Sequence, residues 1–191
     1  MTVLALDIAK WRTGYAIGSP WPGSRFQWGT FETSEFDARP GYWLSRWRKR
    51  LVELLTGQQV TYIAVESFFI DMRDFNFNGS VPMAMMHGVL REVAEDLSVV
   101  IGEASSRSWR KFVFGSAKLP DDIVKKARSE TWKKKAIAEA VSRGWYVTHH
   151  DEAEALLLLD FTLAAKDADY RHRTGQLRRR AQLNAERTGC L

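Results

Sequence analysis

The sequence predicts a single mixed α/β domain. Its first third contains three short apolar segments separated by loops, which is typical of strands, and the remainder alternates helical patterns with short apolar strands. The 191 residues, of which 45% are hydrophobic and 27% charged, suffice for one compact core. This composition excludes disordered and fibrous chains.

Three strands joined by short connections are expected first. The segment Val3–Ile8 is short and almost continuously apolar, like a strand that is buried on both faces. Gly14–Gly18 and Phe26–Phe31 follow, and Pro20 and Pro22 place a loop between them because proline cannot pair within a sheet. Consecutive strands with short connections predict an antiparallel meander.

A helix is predicted after Pro40, ending at Gly57. Its apolar residues recur at helical spacing and form one stripe for the core, which comprises Trp43, Trp47, Leu51, Leu54 and Leu55. Thr61–Val65 then predicts a strand that ends at Glu66. The tryptophans are therefore interpreted as core residues rather than as a ligand site.

Residues 68–82 combine Asn, Gly and Pro with aromatic side chains, so they are expected to form a mobile or partner-facing loop. The aromatic residues of this loop are Phe68, Phe69, Phe75 and Phe77. The elements predicted next are a helix over Pro82–Leu97, a strand over Val99–Ile101, a helix over Ser108–Phe114, a loop over Gly115–Ala127, and helices over Glu130–Arg143 and Asp151–Lys166. The polar, basic remainder predicts a division into a domain of residues 1–166 and a tail of residues 167–191.

The net charge of +5 conceals an alternation of basic and acidic segments. Residues 104–135 hold ten Lys and Arg against three Asp and Glu, residues 136–165 hold one against five, and residues 166–191 hold seven against three. This separation favours a polyanionic partner, such as nucleic acid, that approaches a carboxylate-bearing centre. For any one segment, a solvated helix face is an equally good interpretation.

Several classes of protein are poorly supported. Cys190 is the only cysteine, which excludes a disulfide framework and a cysteine zinc site and indicates a reducing, cytoplasmic setting. Val3–Leu6, the longest apolar run near the start, is too short for a signal peptide or a membrane span. The phosphate-loop, dinucleotide, zinc-protease and serine-hydrolase motifs are absent, and the four histidines lack metal-ligand spacing.

Several acidic residues lie within or at the ends of predicted strands, where carboxylates are unusual, and at the start of a predicted helix. Asp7 lies within an apolar strand, where an unpaired charge is expensive to bury, and Glu66 ends another strand. Asp151 and Glu154 are three residues apart at the start of a helix and share one face, although acids at that position are commonly structural. If they converged, acids from two strands and one helix would form an all-oxygen site for Mg²⁺. Two such ions can activate water and stabilise a leaving phosphate oxygen.

Five motifs in this order resemble the RuvC-type Holliday junction resolvases, in particular their phage and prophage branch. The motifs are Leu4-Ala5-Leu6-Asp7-Ile8, Thr13-Gly14-Tyr15-Ala16, Val65-Glu66, Ser108-Trp109-Arg110-Lys111 and Asp151-Glu152-Ala153-Glu154-Ala155-Leu156. The resemblance covers about residues 2–165. It implies an RNase H-like fold, with a five-stranded mixed sheet of three antiparallel and then two parallel strands flanked by helices. It also implies a homodimer that cuts four-way DNA junctions with Mg²⁺ or Mn²⁺, two ions per subunit.

The resemblance assigns roles to individual residues. It implies that four carboxylates are catalytic and bind the metal, namely Asp7, Glu66, Asp151 and Glu154, the last replacing a more usual Asp. It makes Phe69 a base-stacking residue, unless Phe68 or Phe69 is simply core. It makes Met83–Leu97 a dimer-interface helix, for which plain packing is the alternative. The implied DNA-binding basic residues are Arg107, Arg110, Lys111, Lys118, Lys133, Lys134 and Lys135, and which lysine approaches the scissile phosphate stays open.

The leading hypothesis is a metal-dependent endonuclease that resolves four-way junctions by paired phosphodiester hydrolysis, in DNA recombination or repair. A related RNase H-like nuclease acting on an RNA–DNA hybrid or a replication fork is the alternative among enzymes. A junction-binding module without catalysis is the alternative from another class. Four mutually repelling acids have little physical reason to persist in a binding module, which favours an enzyme.

Overall fold

The computed structural model describes residues 1–32, 40–69 and 77–176. The elements within these ranges are β1 (Val3–Ile8), β2 (Arg12–Gly18), β3 (Gln27–Glu32), α1 (Pro40–Gly57), β4 (Tyr62–Glu66), α2 (Phe77–Asp96), β5 (Val100–Ala104), α3 (Ser106–Phe114), α4 (Lys125–Ser142) and α5 (His150–Lys166). None of the helices in the described part of the chain is long and apolar enough to cross a membrane.

The five strands form one mixed sheet in the order β3-β2-β1-β4-β5. The pairs β1–β2 and β2–β3 are antiparallel, and the pairs β1–β4 and β4–β5 are parallel. The predicted five-stranded mixed sheet and its antiparallel meander are therefore confirmed. Because β1 and β4 run parallel, with Leu6 opposite Val65, their carboxyl ends meet at one edge of the sheet.

Both faces of the sheet are covered by helices, which explains why β1 is apolar except for Asp7. Leu4 and Leu6 pack with α1 and α2 on one face, and this layer contains the predicted stripe of α1, including Trp47. Val3 and Ala5 pack with α4 and α5 on the other face. Side chains alternate between faces along a strand, so Asp7 has the same orientation as Ala5, towards α5.

Small residues let α5 approach the sheet closely. Ala16, Ala5 and Ala64 are paired side by side across β2, β1 and β4, and all three are buried in the layer that contains the leucines of α5. Gly14 lies two residues before Ala16 on β2. A Cβ added at Gly14 would lie 2.1 Å from the backbone carbonyl oxygen of Asp151. The N-terminus of α5 therefore rests directly on the backbone of β2.

Three predicted boundaries are wrong. Helix α2 begins at Phe77 rather than at Pro82, so Pro82 lies inside the helix, where it is buried. Strand β5 extends to Ala104, since β4 supplies pairing partners as far as Glu66. Helix α4 begins at Lys125, within the predicted loop, and tertiary packing can override such local signals. Of the predicted loop aromatics, Phe75 lies outside the described residues.

The chain after α5 is helical over residues 168–176 and packs against the preceding domain. Tyr170 donates a hydrogen bond of 2.9 Å to the buried carboxylate of Asp160, and Arg173 donates one to the carbonyl of Pro20. The boundary proposed between domain and tail stays a prediction.

Candidate active site

The four predicted carboxylates surround the carboxyl end of β1. Asp7 is half-buried. Desolvation raises its pKa well above the usual range, and the negative charges of Glu154, Asp151 and Glu66 raise it further, in that order. The structure thus brings together acids from β1, β4 and α5. Such mutual repulsion favours either protonation or a bound cation.

Two of these acids, Asp7 and Glu154, interact directly. The carboxyl groups of Asp7 and Glu154 are hydrogen-bonded to each other, and this bond raises the pKa of Asp7 and lowers that of Glu154. Burial is the largest influence on Glu154 and raises its pKa overall, against the opposing effect of Arg110. The pKa is thus raised in both acids, and in Asp7 it lies well above the usual range.

Glu66 is oriented by the first turn of α3. One of its carboxylate oxygens accepts a hydrogen bond from the hydroxyl of Ser106, and the other accepts one of 2.8 Å from the indole nitrogen of Trp109. Helix α3 begins where it does because Ser105 caps it, accepting a hydrogen bond of 3.1 Å from the backbone N–H of Ser108. Since β5 pairs with β4 up to Glu66, the following helix starts beside this carboxylate.

The N-terminus of α5 is held in place independently of the site. Glu152 accepts hydrogen bonds from the backbone N–H groups of Thr148 and His149, at 2.7 and 3.2 Å, and so closes a capping box. Glu152 therefore has a structural role in capping the helix. The carboxylate of the neighbouring Asp151 instead lies 3.0 Å from the ring of His150 and 3.8 Å from the guanidinium group of Arg12. One helical turn thus carries both a cap and a candidate ligand.

Arg110 faces the carboxylates rather than solvent. Its Nη2 lies 3.8 Å from Oε1 of Glu154, and its guanidinium carbon lies 5.0 Å from the ring centroids of both Trp109 and Trp132. Among the described residues, its buried Nε has no hydrogen-bond partner. The residue predicted to contact DNA therefore supplies positive charge inside the acidic cluster.

The two phenylalanines after β4, Phe68 and Phe69, lie in different environments. Phe69 is 84% exposed, whereas the ring of Phe68 stacks on His87 of α2 with a centroid distance of 4.8 Å. His87 is buried, and burial lowers its pKa. Phe69 is therefore available to a partner and Phe68 belongs to the packing of α2.

The remaining basic residues of the prediction lie on α3, α4 and the segment between them. Those with exposed side chains are Arg107, Lys111, Lys118, Lys134 and Lys135, and Lys133 is half-buried. Lys135 also contacts the ring of Trp132, with its Nζ 5.4 Å from the centroid. These residues present positive charge to solvent beyond the acidic centre.

The donor chemistry of the cluster fits a divalent cation, because all four candidates supply carboxylate oxygens. Within the described ranges, however, no three His, Cys, Asp or Glu side chains are arranged to hold an ion. The oxygens of Glu66 are engaged by α3, and Glu154 is engaged by Asp7 and Arg110. Ion binding would compete with these partners for the same oxygens.

Sequence reasoning did not assign roles to Ser106, Trp109, Gly14 or Arg12. A glycine inside a strand does signal close backbone approach, and Gly14 stands inside the motif quoted above. The contacts of Ser106 and Trp109 with Glu66 depend on the placement of α3 beside β4, for which the sequence holds no local signal.

Comparison with known proteins identifies the fold. No protein-family model matches the sequence, and no curated protein matches it either. The structure is similar to Thermus thermophilus RuvC, with a TM-score of 0.64 and 15% identity over 92% of this chain and 97% of that chain. T. thermophilus RuvC in complex with Holliday junction substrate gives a TM-score of 0.62 and 15% identity, covering 92% and 96% of the two chains. The yeast mitochondrial Holliday junction resolvase Ydc2 gives 0.54 and 14%, covering 89% and 80%. The chain therefore has the fold of the RuvC-type Holliday junction resolvases, as its motifs predicted.

Proposed function

We propose that this protein is a metal-dependent endonuclease that resolves four-way DNA junctions. The observation that carries the proposal is the convergence of Glu66, Asp151 and Glu154 on the half-buried Asp7, within a fold shared with junction resolvases. Desolvated, mutually repelling acids are unfavourable in an ion-free protein, so a site built from them favours cation binding.

Asp7, Glu66, Asp151 and Glu154 would hold Mg²⁺ or Mn²⁺ through their carboxylate oxygens. When bound, such ions activate water and stabilise the charge on a leaving phosphate oxygen. The protein contributes the orientation of its acids: Ser106 and Trp109 hold Glu66, and the backbone of β2 under α5 sets the position of Asp151. Outer partners of this kind tune ligand orientation.

The exposed basic residues of α3 and α4 would contact the phosphate backbone on either side of the cut. Such contacts are independent of sequence and sensitive to salt. Phe69, exposed at the end of β4, would stack on bases that are unpaired at the branch point. Together these roles account for a preference for branched over linear DNA.

Paired cleavage requires two active sites, and a two-fold symmetric dimer matches the symmetry of a four-way junction. Helix α2 is the candidate interface, since Met86 and Leu90 are buried in the domain while Phe77 and Met85 are exposed. Sedimentation should therefore give about twice 21.9 kDa. A monomer at micromolar concentration, both free and with junction DNA, would contradict the dimer.

The function is tested with labelled four-way junctions beside linear duplex, RNA–DNA hybrid and flap substrates in Mg²⁺. The expected result is symmetric nicking of the junction by the native protein. The Asp7→Asn variant should bind the junction as well or more tightly, because one charge that repels phosphate is removed, but should not cut it. Preferential cleavage of the hybrid or flap would show that the enzyme acts on that substrate rather than on four-way junctions. Near-normal cleavage by Asp7→Asn would contradict the assignment of the active site.

A further inference from the structure

The turn between β1 and β2 presents an indole ring to solvent. Ile8 pairs with Thr13 at the end of the hairpin, so Ala9, Lys10 and Trp11 lie at its tip. Trp11 is 56% exposed, and the ammonium nitrogen of Lys10 lies 4.4 Å from the centroid of its ring. The ammonium group of the half-buried Lys10 thus lies over the ring of an exposed indole.

This turn belongs to the same edge of the sheet as the acidic cluster. Arg12, the residue after Trp11, lies 3.8 Å from the carboxylate of Asp151 and 3.6 Å from that of Glu32. Because the strand order is β2-β1-β4, the turn lies on one side of Asp7 and the segment carrying Phe69 lies on the other.

The residue types at the tip are unusual for a hairpin. Turns favour Gly, Asn, Asp and Pro, which adopt the required backbone conformations or stabilise them locally. An aromatic ring with a cation close by can bind single-stranded nucleic acid, because the ring stacks on a base and the cation attracts the adjoining phosphate.

We propose that Lys10 and Trp11 form a second nucleotide-binding element of the site. Trp11 stacks on an unpaired or splayed base of the cleaved strand, and Lys10 contacts a phosphate next to it. Phe69 engages the DNA on the other side of Asp7, so the scissile phosphate lies between two aromatic platforms. This inference rests on the proposed action on branched DNA, and it adds the residues that grip the strand at the cut.

The chain offers a matched control. Trp21 is 69% exposed and lies in the β2–β3 connection, after the end of β2 that pairs with the start of β1. It is therefore an exposed tryptophan in a loop at the opposite edge of the sheet, away from the acidic cluster. Replacing Trp21 controls for the loss of any exposed indole.

Binding is measured by fluorescence anisotropy on the cleavage-deficient Asp7→Asn background, with a four-way junction and a linear duplex of the same length. Trp11→Ala should weaken junction binding by about five- to 100-fold and duplex binding much less, since stacking needs an unpaired base. Trp11→Phe should restore most of the affinity, whereas Trp11→Leu, which keeps apolar bulk without a flat ring, should not. Trp21→Ala should change neither affinity, and Lys10→Ala should lower the salt dependence of both.

Equal junction affinities for Trp11→Ala and Trp21→Ala, or full affinity in Trp11→Leu, would overturn the inference. Thermal unfolding of each variant identifies any loss of affinity that comes from misfolding. Among the variants that fold, the junction affinities of Trp11→Phe and Trp11→Leu then show whether a flat ring is needed. Cleavage of the junction by the native protein is scored separately. If the native protein cleaves the junction but binding does not depend on Trp11, only the proposed Lys10–Trp11 element is contradicted. If binding depends on Trp11 but the native protein does not cleave, only the proposed nuclease activity is contradicted.

Discussion

The indole nitrogen of Trp109 donates a hydrogen bond of 2.8 Å to the carboxylate of Glu66, which joins helix α3 to the end of strand β4. The adjacent residue, Arg110, approaches Glu154 on α5. One turn of α3 therefore contacts candidate ligands from two other elements. The orientation of the acidic cluster depends on this helix as much as on the strands that carry the acids.

Replacing Trp109 by Phe should separate orientation from packing. The variant keeps an aromatic ring in the core but loses the bond to Glu66, and outer partners of metal ligands typically contribute about 10- to 100-fold in affinity or activity. We expect junction cleavage to require more Mg²⁺ and to slow by about that factor, measured as rate against Mg²⁺ concentration. Trp132→Phe, which removes an indole stacked on Arg110 but no bond to Glu66, is the control. Unchanged Mg²⁺ dependence in Trp109→Phe would refute a positioning role.

Gly14→Ala should displace the start of α5. A Cβ at this position would lie 2.1 Å from a backbone oxygen of Asp151, so the helix must shift and take its carboxylates with it. Overpacking of this kind costs about 1–3 kcal/mol of unfolding free energy, and cleavage should fall further than that loss of stability explains. At Gly29 an added Cβ would meet only the end of the Tyr15 side chain, at 2.9 Å, which makes Gly29→Ala the control. Thermal unfolding and junction cleavage are measured for both, and equal activities would contradict the prediction.

Asp7 should make the ion-free protein sensitive to pH. Its pKa is raised in the folded state by burial and by the neighbouring acids, so the folded protein holds this proton more tightly than the unfolded chain. The stabilisation is complete below the unfolded pKa of about 3.9 and is lost as pH rises through the folded pKa. In chelator, thermal stability should therefore decline as pH rises from about 3.9 towards the folded pKa of Asp7. Asp7→Asn should flatten this decline.

Adding Mg²⁺ at neutral pH should reverse the loss in the native protein, because ligands that bind only the folded state stabilise it. The shift in melting temperature should be clearly smaller in Asp7→Asn. Lys49→Gln changes an exposed charge on α1 and serves as the control variant. Identical Mg²⁺-induced shifts in native protein and Asp7→Asn would remove Asp7 from the metal site.

Phe68 and Phe69 should respond in opposite ways to replacement by Ala. Phe68 stacks on the buried His87, so its loss should destabilise the fold by about 3 kcal/mol, within the range for truncated core aromatics. Phe69 is 84% exposed, so its loss should leave the melting temperature almost unchanged and lower junction cleavage more than duplex binding. Melting curves and DNA titrations measure both effects. A strongly destabilised Phe69→Ala variant would show that this ring packs in the core.

Local pattern was sufficient to predict much of the architecture. Buried elements need apolar residues at the spacing of a strand or a helix, and that spacing is visible in the sequence. It identified the apolar run of β1, the stripe around Trp47 in α1 and the apolar α5. The start of α2 was misplaced because Asn78 and Gly79 favour turns, and the buried residues of this helix begin only at Pro82.

The candidate acids were likewise visible as charges at the ends of apolar segments, where burial without a partner or an ion is unfavourable. Their partners were not visible, since each contact joins elements that are distant in the chain. Trp109 is 43 residues from Glu66, and nothing near either residue specifies their hydrogen bond. Whether Phe68 or Phe69 faces solvent was decided by His87 on the following helix. The amino-acid pattern was therefore enough to identify the groups that could carry the chemistry. Which of these groups come into contact depends on strand order and on how closely α3 and α5 approach the sheet, and neither is encoded locally.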